Sequence, residues 1–153
     1  MDRIAAAIAL GSNVGDRAVH LDYAVFRLRT FLDDLNVSRY YETAPVDVPG
    51  PAAPFLNAAA VGHFSGTARD LLDRLLEVER ECGRERPYRH APRTLDLDLV
   101  LFGSEVSEAA GLTLPHPRFR ERRFVLEPLA EIAPGMTDPA TGLSVADLLR
   151  RLG

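Results

Sequence analysis

Apolar residues in the first part of the chain recur with spacings that predict a strand, a helix and a second strand. The apolar run of residues 4–10 predicts a buried strand that ends at Gly11. From Asp16 onward, apolar residues recur every three or four positions, which predicts a helix with one buried face. Residues 37–41 are rich in aromatic and β-branched side chains and predict the next strand. The predicted helical face consists of Leu21, Ala24, Val25, Leu28, Phe31, Leu32 and Leu35.

The middle of the chain repeats this order after a loop. Residues 44–54 are dense in proline, which neither a helix interior nor a central strand accepts, so they predict a long loop. Residues 55–64 predict a strand. Thr67, with Asp70 three residues later, has the form of a capping box that opens a helix, and Gly83 ends that helix.

The last third of the chain carries one strong strand signal and several weaker ones. Residues 95–101 predict a strand, and residues 105–114 a hairpin or irregular strand. Residues 124–132 predict a short helix interrupted by Pro128, and Ser144 opens a last helix.

The leading order of strand, helix, strand, strand, helix, strand predicts an α+β fold. We expect a two-layer ferredoxin-like sandwich, in which an antiparallel sheet carries its helices on one face and the C-terminal elements are additions. No repeat or domain boundary is visible, so we expect a single domain over residues 1–153.

Composition narrows the class of protein. Of the 153 residues, 46% are hydrophobic and 26% are charged, which is typical of a globular domain. No apolar run is long enough to cross a bilayer and the N-terminus is a poor signal peptide, so we expect a cytoplasmic protein with no membrane partner. The single cysteine, Cys82, excludes an internal disulfide, and the four histidines lack zinc-ligand spacing.

Charge narrows the chemistry further. All 18 basic residues are arginine, which excludes a P-loop lysine and a Schiff-base lysine. An anion site must therefore use arginine, backbone N–H groups or a metal ion. A compositional bias of the genome explains the missing lysine equally well. The net charge of −4 argues against a general nucleic-acid binder.

Two acidic residues interrupt the strand predicted over residues 95–101. Asp96 and Asp98 lie two positions apart, so both carboxylates point to one face, about 7 Å apart at their Cα atoms. Oxygen ligands without histidine or cysteine favour Mg²⁺. The alternative is a pair of exposed carboxylates that bind nearby arginines. The predicted core face of the strand is Leu95, Leu97, Leu99 and Leu101.

The loop over residues 84–93 supplies a cationic counterpart to these aspartates. Arg84, Arg86, Arg89 and Arg93 lie on it, and guanidinium groups match phosphate oxygens two at a time. An acidic pair beside an arginine cluster is the pattern expected for the chemistry of a magnesium-bound nucleotide.

The same strand resembles the signature of a known family. PRTLDLD at residues 92–98 is similar to the signature of hydroxymethyldihydropterin pyrophosphokinases, which transfer pyrophosphate from ATP to a pterin alcohol in folate biosynthesis. Further motifs agree in order and spacing. They are ALGSNVGD at 9–16, YETAPV at 41–46, FLNAA at 55–59, LPHPR at 114–118 and RRFVLEPLAEIAP at 122–134.

The resemblance implies roles on the nucleotide side of the site. Asp96 and Asp98 would bind two Mg²⁺ ions that bridge the phosphates of ATP, with Asp96 also near the attacking hydroxyl. Leu99 and Thr113 would lie near the nucleoside, and Glu79 is a further ATP-binding candidate. The implied triphosphate contacts are Arg84, Arg93, His116 and Arg122, with Arg86 and Arg89 on the loop that closes over them; Arg84 and Arg93 are also counted as catalytic.

The resemblance also implies a pterin pocket. A flat heterocycle with a polar rim needs aromatic faces and fixed donors and acceptors. Phe55 and Phe124 would supply the faces, and the amide of Asn57 offers both a donor and an acceptor. Ordinary core packing is the alternative for both phenylalanines. The backbone of Thr43, Ala44, Pro45 and Val46 would meet the pterin edge, beside Asp96.

Two other local features qualify the resemblance. The turn-like GSNVG at residues 11–15 lacks the P-loop pattern, so we interpret it as a structural turn. His90 stands where the family often has tryptophan, which affects how tightly the arginine loop closes rather than the reaction.

Two alternatives from other classes remain open on the sequence. A ferredoxin-like sheet with arginine loops can bind RNA, although the acidic net charge and the absence of RNA-recognition motifs argue against it. A regulatory protein could use the same pocket to bind pterin without turnover. We expect an ATP-dependent enzyme that acts as a monomer and has no nucleic-acid partner.

Overall fold

The computed structural model describes residues 3–43, 54–83 and 95–153, and in these ranges the chain forms strands and helices in the predicted order, except that two short strands replace the single one predicted over residues 37–41. The strands are β1 (Arg3–Ser12), β2 (Asp33–Val37), β3 (Tyr41–Thr43), β4 (Phe55–Ser65), β5 (Asp96–Phe102), β6 (Ser107–Ala109) and β7 (Leu112–Leu114). The helices are α1 (Arg17–Leu28), α2 (Ala68–Cys82), α3 (Arg123–Ile132) and α4 (Val145–Arg151), and a 3₁₀ turn at Phe119–Glu121 precedes α3.

The main sheet confirms the ferredoxin-like prediction. Its strand order is β2-β4-β1-β5, every pairing is antiparallel, and the short β3 also pairs with β4. β1 and β4 are the longest strands and lie in the centre because their apolar side chains are covered on both faces. β6 and β7 form the predicted hairpin.

Helices α1 and α2 cover one face of this sheet. The side chain of Asp16 accepts a hydrogen bond from the backbone of Val19 and caps α1, and Thr67 and Asp70 form the predicted capping box of α2. Both helices turn an apolar stripe toward the sheet. The core between them contains Leu21, Leu28, Leu71, Leu75, Val78, Ile8, Leu10, Leu97 and Leu99.

The C-terminal additions cover the opposite face, which we call the α3 face. Val125, Leu126 and Leu129 of α3 pack with Ala7 and Ala59 of the central strands. Small alanine side chains in the sheet allow the helix to approach closely. The predicted two-layer sandwich thus gains a third layer, made by α3 and α4. Proline does not interrupt α3: Pro128 is buried inside a helix that continues to Ile132.

The helix predicted to extend to Leu35 ends earlier, at Leu28. The hydroxyl of Thr30 donates a hydrogen bond to the carbonyl of Arg27 at 2.6 Å, in place of a continuing helical N–H. Leu32 still packs into the core, and Leu35 lies on β2. The periodicity was therefore correct for burial and wrong for secondary structure.

The strand predicted over residues 37–41 is also wrong as a single element. β2 ends at Val37 and β3 begins at Tyr41, with Ser38 between them. The Ser38 hydroxyl accepts a hydrogen bond from the backbone N–H of Ala59 at 2.9 Å and donates to the carbonyl of Arg39 at 2.7 Å. A side chain thus replaces a main-chain partner in the ladder, and the strand breaks there.

A β-bulge corrects the predicted face of Leu101. The pairing of β1 with β5 changes register between Ala7 and Ile8, which stand opposite Leu101 and Leu99. Val100 is the extra residue on β5, so alternation shifts by one after it. Leu97 and Leu99 face α1 and α2 as predicted, whereas Val100 and Leu101 pack on the α3 face.

Candidate active site

Three residues on three neighbouring strands form a row across the sheet. Asn57 on β4 stands opposite Gly11 on β1, and Gly11 stands opposite Asp96 on β5. Directly paired residues point to the same face of a sheet, and their neighbours Ala58 and Leu97 pack on the α1 and α2 side. The row therefore lies on the α3 face, with roughly 10 Å between the outer Cα atoms from the strand spacing.

Asn57 is held in a fixed orientation at one end of the row. Its side chain is buried, and its Nδ2 atom donates a hydrogen bond to the hydroxyl of Thr43 at 2.6 Å. Thr43 is itself paired with Phe55, which is half-buried. The structure thus brings together Thr43, Phe55 and Asn57, three of the predicted pterin contacts, on the two strands that border the undescribed residues 44–53.

Gly11 and Ser12 are part of β1, so the turn interpreted over GSNVG begins only after them, where Gly15 has a left-handed backbone with φ +65°. A Cβ atom at the Gly11 position would lie 3.1 Å from Oδ1 of Asn57, and, apart from its chain neighbours, it would meet no other atom of the described residues within 4 Å. The residue therefore leaves open the space between Asn57 and Asp96. A glycine inside a strand often marks a close approach of this kind, and this was the signal in the sequence that could have placed it in the site.

Asp96 and Asp98 project from β5 at the other end of the row. Both are half-buried, and both point to the α3 face because Leu97 and Leu99 point away from it. The described residues contain no group of three or more histidine, cysteine, aspartate or glutamate side chains that could hold a metal ion. Two carboxylates alone suit Mg²⁺, which commonly completes its shell with water and phosphate oxygens.

Glu79 on α2 supports this strand from its open edge. Its Oε2 atom accepts a hydrogen bond from the backbone N–H of Leu97 at 2.6 Å. Leu97 lies between the two aspartates, and no other strand in the described part of the chain pairs with the outer edge of β5. Glu79 was predicted from the resemblance as an ATP contact; in the structure it fixes the backbone that carries the aspartates.

We expect Glu79→Ala to destabilise the protein by about 1–3 kcal/mol, because the part-buried N–H of Leu97 loses its acceptor. Glu79→Gln keeps an acceptor oxygen and should lose less. Chemical denaturation of both variants measures the difference. Equal stability of the alanine variant and the wild type would show that this hydrogen bond does not support β5.

His116 lies close to the aspartates, on the loop after β7. Its backbone N–H donates to the carbonyl of Val100 at 3.0 Å, and its Nδ1 atom accepts from the backbone of Arg118 at 3.2 Å. Burial lowers the pKa of the imidazole; the Asp98 carboxylate opposes this, and the Arg122 and Arg118 cations add to it. The ring is thus favoured as neutral, and with Nδ1 as acceptor its proton lies on Nε2, which has no hydrogen-bond partner among the described residues.

Arg122 and Phe124 meet at the start of α3. The guanidinium of Arg122 lies over the ring of Phe124, 5.6 Å from its centroid. Within the described residues Arg122 has no carboxylate partner at ion-pair distance. Its positive charge lowers the pKa of His116, and the Asp98 carboxylate raises that pKa. A cation, a neutral donor and an acidic pair therefore surround one region of the α3 face.

Some predicted residues lie apart from this region. The Leu99 side chain is buried in the core with α1 and α2, so only its main chain could contact a ligand on the α3 face. Thr113 is exposed on β7, opposite Glu108. The remaining predicted residues fall outside the described ranges: Ala44, Pro45, Val46, Arg84, Arg86, Arg89 and Arg93.

The site combines two features: a buried amide near the half-buried Phe55 at one end, and an acidic pair with a histidine and an arginine at the other. On a ferredoxin-like sheet, these groups are of the kinds that suit a polar heterocycle at one end and a metal-bound phosphate at the other, as in an enzyme of the phosphotransferase class.

Comparison with known proteins gives the family. The sequence model of 7,8-dihydro-6-hydroxymethylpterin-pyrophosphokinase (HPPK) matches residues 7–134. The chain is 45% identical over 138 residues to the 2-amino-4-hydroxy-6-hydroxymethyldihydropteridine pyrophosphokinase of Bacillus subtilis, covering 89% of this chain and 82% of that one. It is 36% identical over 149 residues to the Synechocystis enzyme of the same name, covering 96% and 75%.

Solved structures agree on the fold. The HPPK-DHPS triple mutant of Plasmodium falciparum superposes with a TM-score of 0.77 at 13% identity, over 98% of this chain and 43% of that longer one. At that identity the likeness bears on the fold alone.

The chain belongs to the hydroxymethyldihydropterin pyrophosphokinase family. It is an ATP-dependent diphosphokinase of folate biosynthesis that acts on hydroxymethyldihydropterin. Within the described residues, no helix has the length and apolar character needed to cross a membrane.

Proposed function

We propose that the row Asn57, Gly11 and Asp96 is the path along which the pterin alcohol meets the phosphates of ATP. Asn57 offers its amide to the rim of the heterocycle, and Gly11 leaves room for the ligand between the strands. Asp96 lies where the hydroxymethyl group would end. This juxtaposition is the observation that carries the proposal, because it joins a recognition group to an acidic pair on one face.

The aromatic contacts follow from the same arrangement. Phe55 lies beside Asn57 on the α3 face, and Phe124 lies at the start of α3. We place the pterin between them, with the backbone of Thr43, Ala44, Pro45 and Val46 at its edge. Stacking of a flat ring on aromatic faces gives affinity, and the Asn57 amide gives orientation.

Asp96 and Asp98 are the proposed ligands of two Mg²⁺ ions. When bound, Mg²⁺ neutralises phosphate charge and lowers the pKa of a coordinated alcohol. Two adjacent carboxylates on one strand face have the hard oxygen donors that this ion prefers, and substrate phosphates would complete its shell.

The other cationic and polar groups orient the triphosphate. Arg122 offers a guanidinium without a carboxylate partner in the described residues, and His116 offers Nε2–H. Arg84, Arg86, Arg89 and Arg93 are proposed contacts from the undescribed segment. The main chain of Leu99 and the side chain of Thr113 are the proposed nucleoside contacts.

The reaction transfers the pyrophosphoryl group of ATP to the pterin alcohol. The hydroxymethyl oxygen of the pterin bonds to the β-phosphorus of ATP, and the bond from that phosphorus to the oxygen bridging to the α-phosphorus breaks. AMP leaves with the bridging oxygen. Asp96 is the proposed acceptor of the hydroxyl proton, because of the two aspartates it is the one that belongs to the row. The enzyme acts as a single-domain, cytoplasmic monomer without a nucleic-acid partner in this proposal.

A coupled assay for AMP tests the proposal. With ATP, Mg²⁺ and hydroxymethyldihydropterin, we expect stoichiometric AMP and pterin diphosphate; with 6-methyldihydropterin, which lacks the hydroxyl, we expect none. A chelator should abolish turnover, and Mg²⁺ should restore it with two binding phases. AMP formation that persists without the hydroxyl, or in excess chelator, would contradict the proposal.

A further inference from the structure

A buried ion pair joins the C-terminal segment to the loop that carries His116 and Arg122. The Asp138 side chain is fully buried, with 0% exposure, and Arg120 binds it through two hydrogen bonds. Nε of Arg120 donates to Oδ2 at 2.6 Å, and Nη2 donates to Oδ1 at 3.0 Å. This is the bidentate geometry of a strong guanidinium–carboxylate pair.

The carboxylate of Asp138 is satisfied on every side. Oδ1 also accepts from the backbone N–H of Ala140 at 3.0 Å, and Oδ2 accepts from the hydroxyl of Thr141 at 2.7 Å. Burial alone would raise the pKa of Asp138, but the hydrogen bonds from Arg120, Thr141 and Ala140 outweigh it and hold the pKa below its usual value. Asp138 is therefore a fixed anion to which the Arg120 side chain is anchored.

Arg120 lies in the 3₁₀ turn between the two proposed phosphate contacts. The backbone N–H of Phe119 donates to the carbonyl of His116 at 3.4 Å, and that of Arg122 donates to the carbonyl of Phe119 at 3.2 Å. The Phe119 ring is fully buried, and the guanidinium of Arg120 lies over it, 4.9 Å from its centroid. The turn is therefore anchored by one ring in the core and one ion pair beside it.

This ion pair contributes little net stability for the desolvation that its burial requires, so its main effect lies elsewhere. Burying an ion pair costs desolvation that its attraction often only repays, whereas its geometry holds the connected segments in one arrangement. The segment that this pair fixes is residues 116–122, which begins with His116 and ends with Arg122. The C-terminal region, beyond the residues that the family model matches, supplies the anion.

We propose that the Arg120–Asp138 pair is a positioning device that orients His116 and Arg122 for the triphosphate of ATP. This inference rests on the proposed function, because it requires those two side chains to bind phosphate. Neither Arg120 nor Asp138 contacts the reacting atoms in this proposal. Their effect should therefore fall on nucleotide binding and leave pterin binding unchanged.

Three variants test the inference. Asp138→Asn removes the anion with little change of shape, and Arg120→Lys keeps the charge but loses the two-pronged geometry. Leu148→Ala is the matched control, because it removes a buried apolar side chain of α4 on the α3 face, one that takes no part in the hydrogen bonds of the pair. For each variant, calorimetry measures the affinity for the Mg²⁺ complex of α,β-methylene-ATP and for hydroxymethyldihydropterin, and a thermal melt measures Tm.

We expect Asp138→Asn to weaken nucleotide binding roughly tenfold or more, the usual effect of losing a supporting contact, and to change pterin affinity by less than about twofold. Arg120→Lys should lie between this variant and the wild type. Leu148→Ala should lower Tm while both affinities stay at wild-type values. If Asp138→Asn does not fold, Arg120→Lys decides the question by the same measurements.

Two results would overturn the inference. Unchanged nucleotide affinity in folded Asp138→Asn or Arg120→Lys would show that the pair is only structural. An equal loss in Leu148→Ala would show that lower stability is the cause. A wild-type protein that fails to bind the nucleotide analogue would instead refute the proposed function, and the inference with it, so the two failures are distinguishable.

Discussion

Asp98→Ala and Asp96→Ala are each expected to lower turnover by about a thousandfold or more while the protein remains folded. A metal ion at a transferring phosphate is worth several kcal/mol of transition-state stabilisation, and each 1.4 kcal/mol is a factor of ten in rate. Both carboxylates are half-buried on the α3 face, outside the core formed by their neighbours Leu97 and Leu99. Removing the Asp98 carboxylate also removes its repulsion with Asp96, so the Tm of Asp98→Ala should stay the same or rise.

Measurement of kcat and Tm on the same preparations checks this expectation. Asp73→Ala is the matched control, because Asp73 is an exposed carboxylate on α2, remote from the α3 face. Asp98→Asn separates charge from shape and should be almost as inactive as the alanine variant. Normal turnover in either the Asp96 or the Asp98 variant would refute their role as metal ligands.

Gly11→Val is expected to reduce pterin affinity roughly 10- to 100-fold and to leave the fold intact. The new side chain would enter the space between Asn57 and Asp96, where even a Cβ atom lies 3.1 Å from Oδ1 of Asn57. With pterin bound in that space, the extra atoms would be forced against it at a typical cost of about 1–3 kcal/mol, which corresponds to this range of affinity. Valine is favoured over glycine in strands, so the substitution should not destabilise β1 itself.

The gradation between variants makes this test specific. Gly11→Ala adds only the Cβ atom and should have a smaller effect than valine. Gly135→Ala lies at an exposed position where a Cβ atom, chain neighbours aside, would meet no atom of residues 3–43, 54–83 or 95–153 within 4 Å, and it should leave pterin affinity unchanged. Wild-type pterin binding by Gly11→Val, measured by calorimetry, would show that the ligand does not occupy the space beside Gly11.

Local patterns predicted most of the elements because their causes are local. Asp16, Thr67 and Ser144 each cap the helix that the sequence placed after them, since a side-chain oxygen three residues from a backbone N–H needs no distant partner. The same patterns were wrong where a local signal served another purpose. Apolar spacing up to Leu35 described burial in one core, but the chain had already left the helix at Leu28.

Some features of the candidate site also follow from the local sequence, and others follow from strand pairing. The spacing of Asp96 and Asp98 placed both carboxylates on one face, because side chains alternate in any strand. A glycine inside a strand could mark Gly11 as a point of close approach, but its place between Asn57 and Asp96 depends on the register of three strands distant in the chain. The β-bulge at Val100, which reverses the face of Leu101, also depends on pairing with β1.

The sequence by itself determined the order of the elements, their caps, the acidic pair and, through its motifs, the family. Only the tertiary structure decided that α3 and α4 cover the second face, that Glu79 supports the backbone of Leu97, and that Arg120 is anchored to Asp138. The physical reason is that periodicity and capping act within a few residues. A buried ion pair, a strand register or a covered face depends on which distant segments pack together, and that is settled when the whole chain excludes water from its cores.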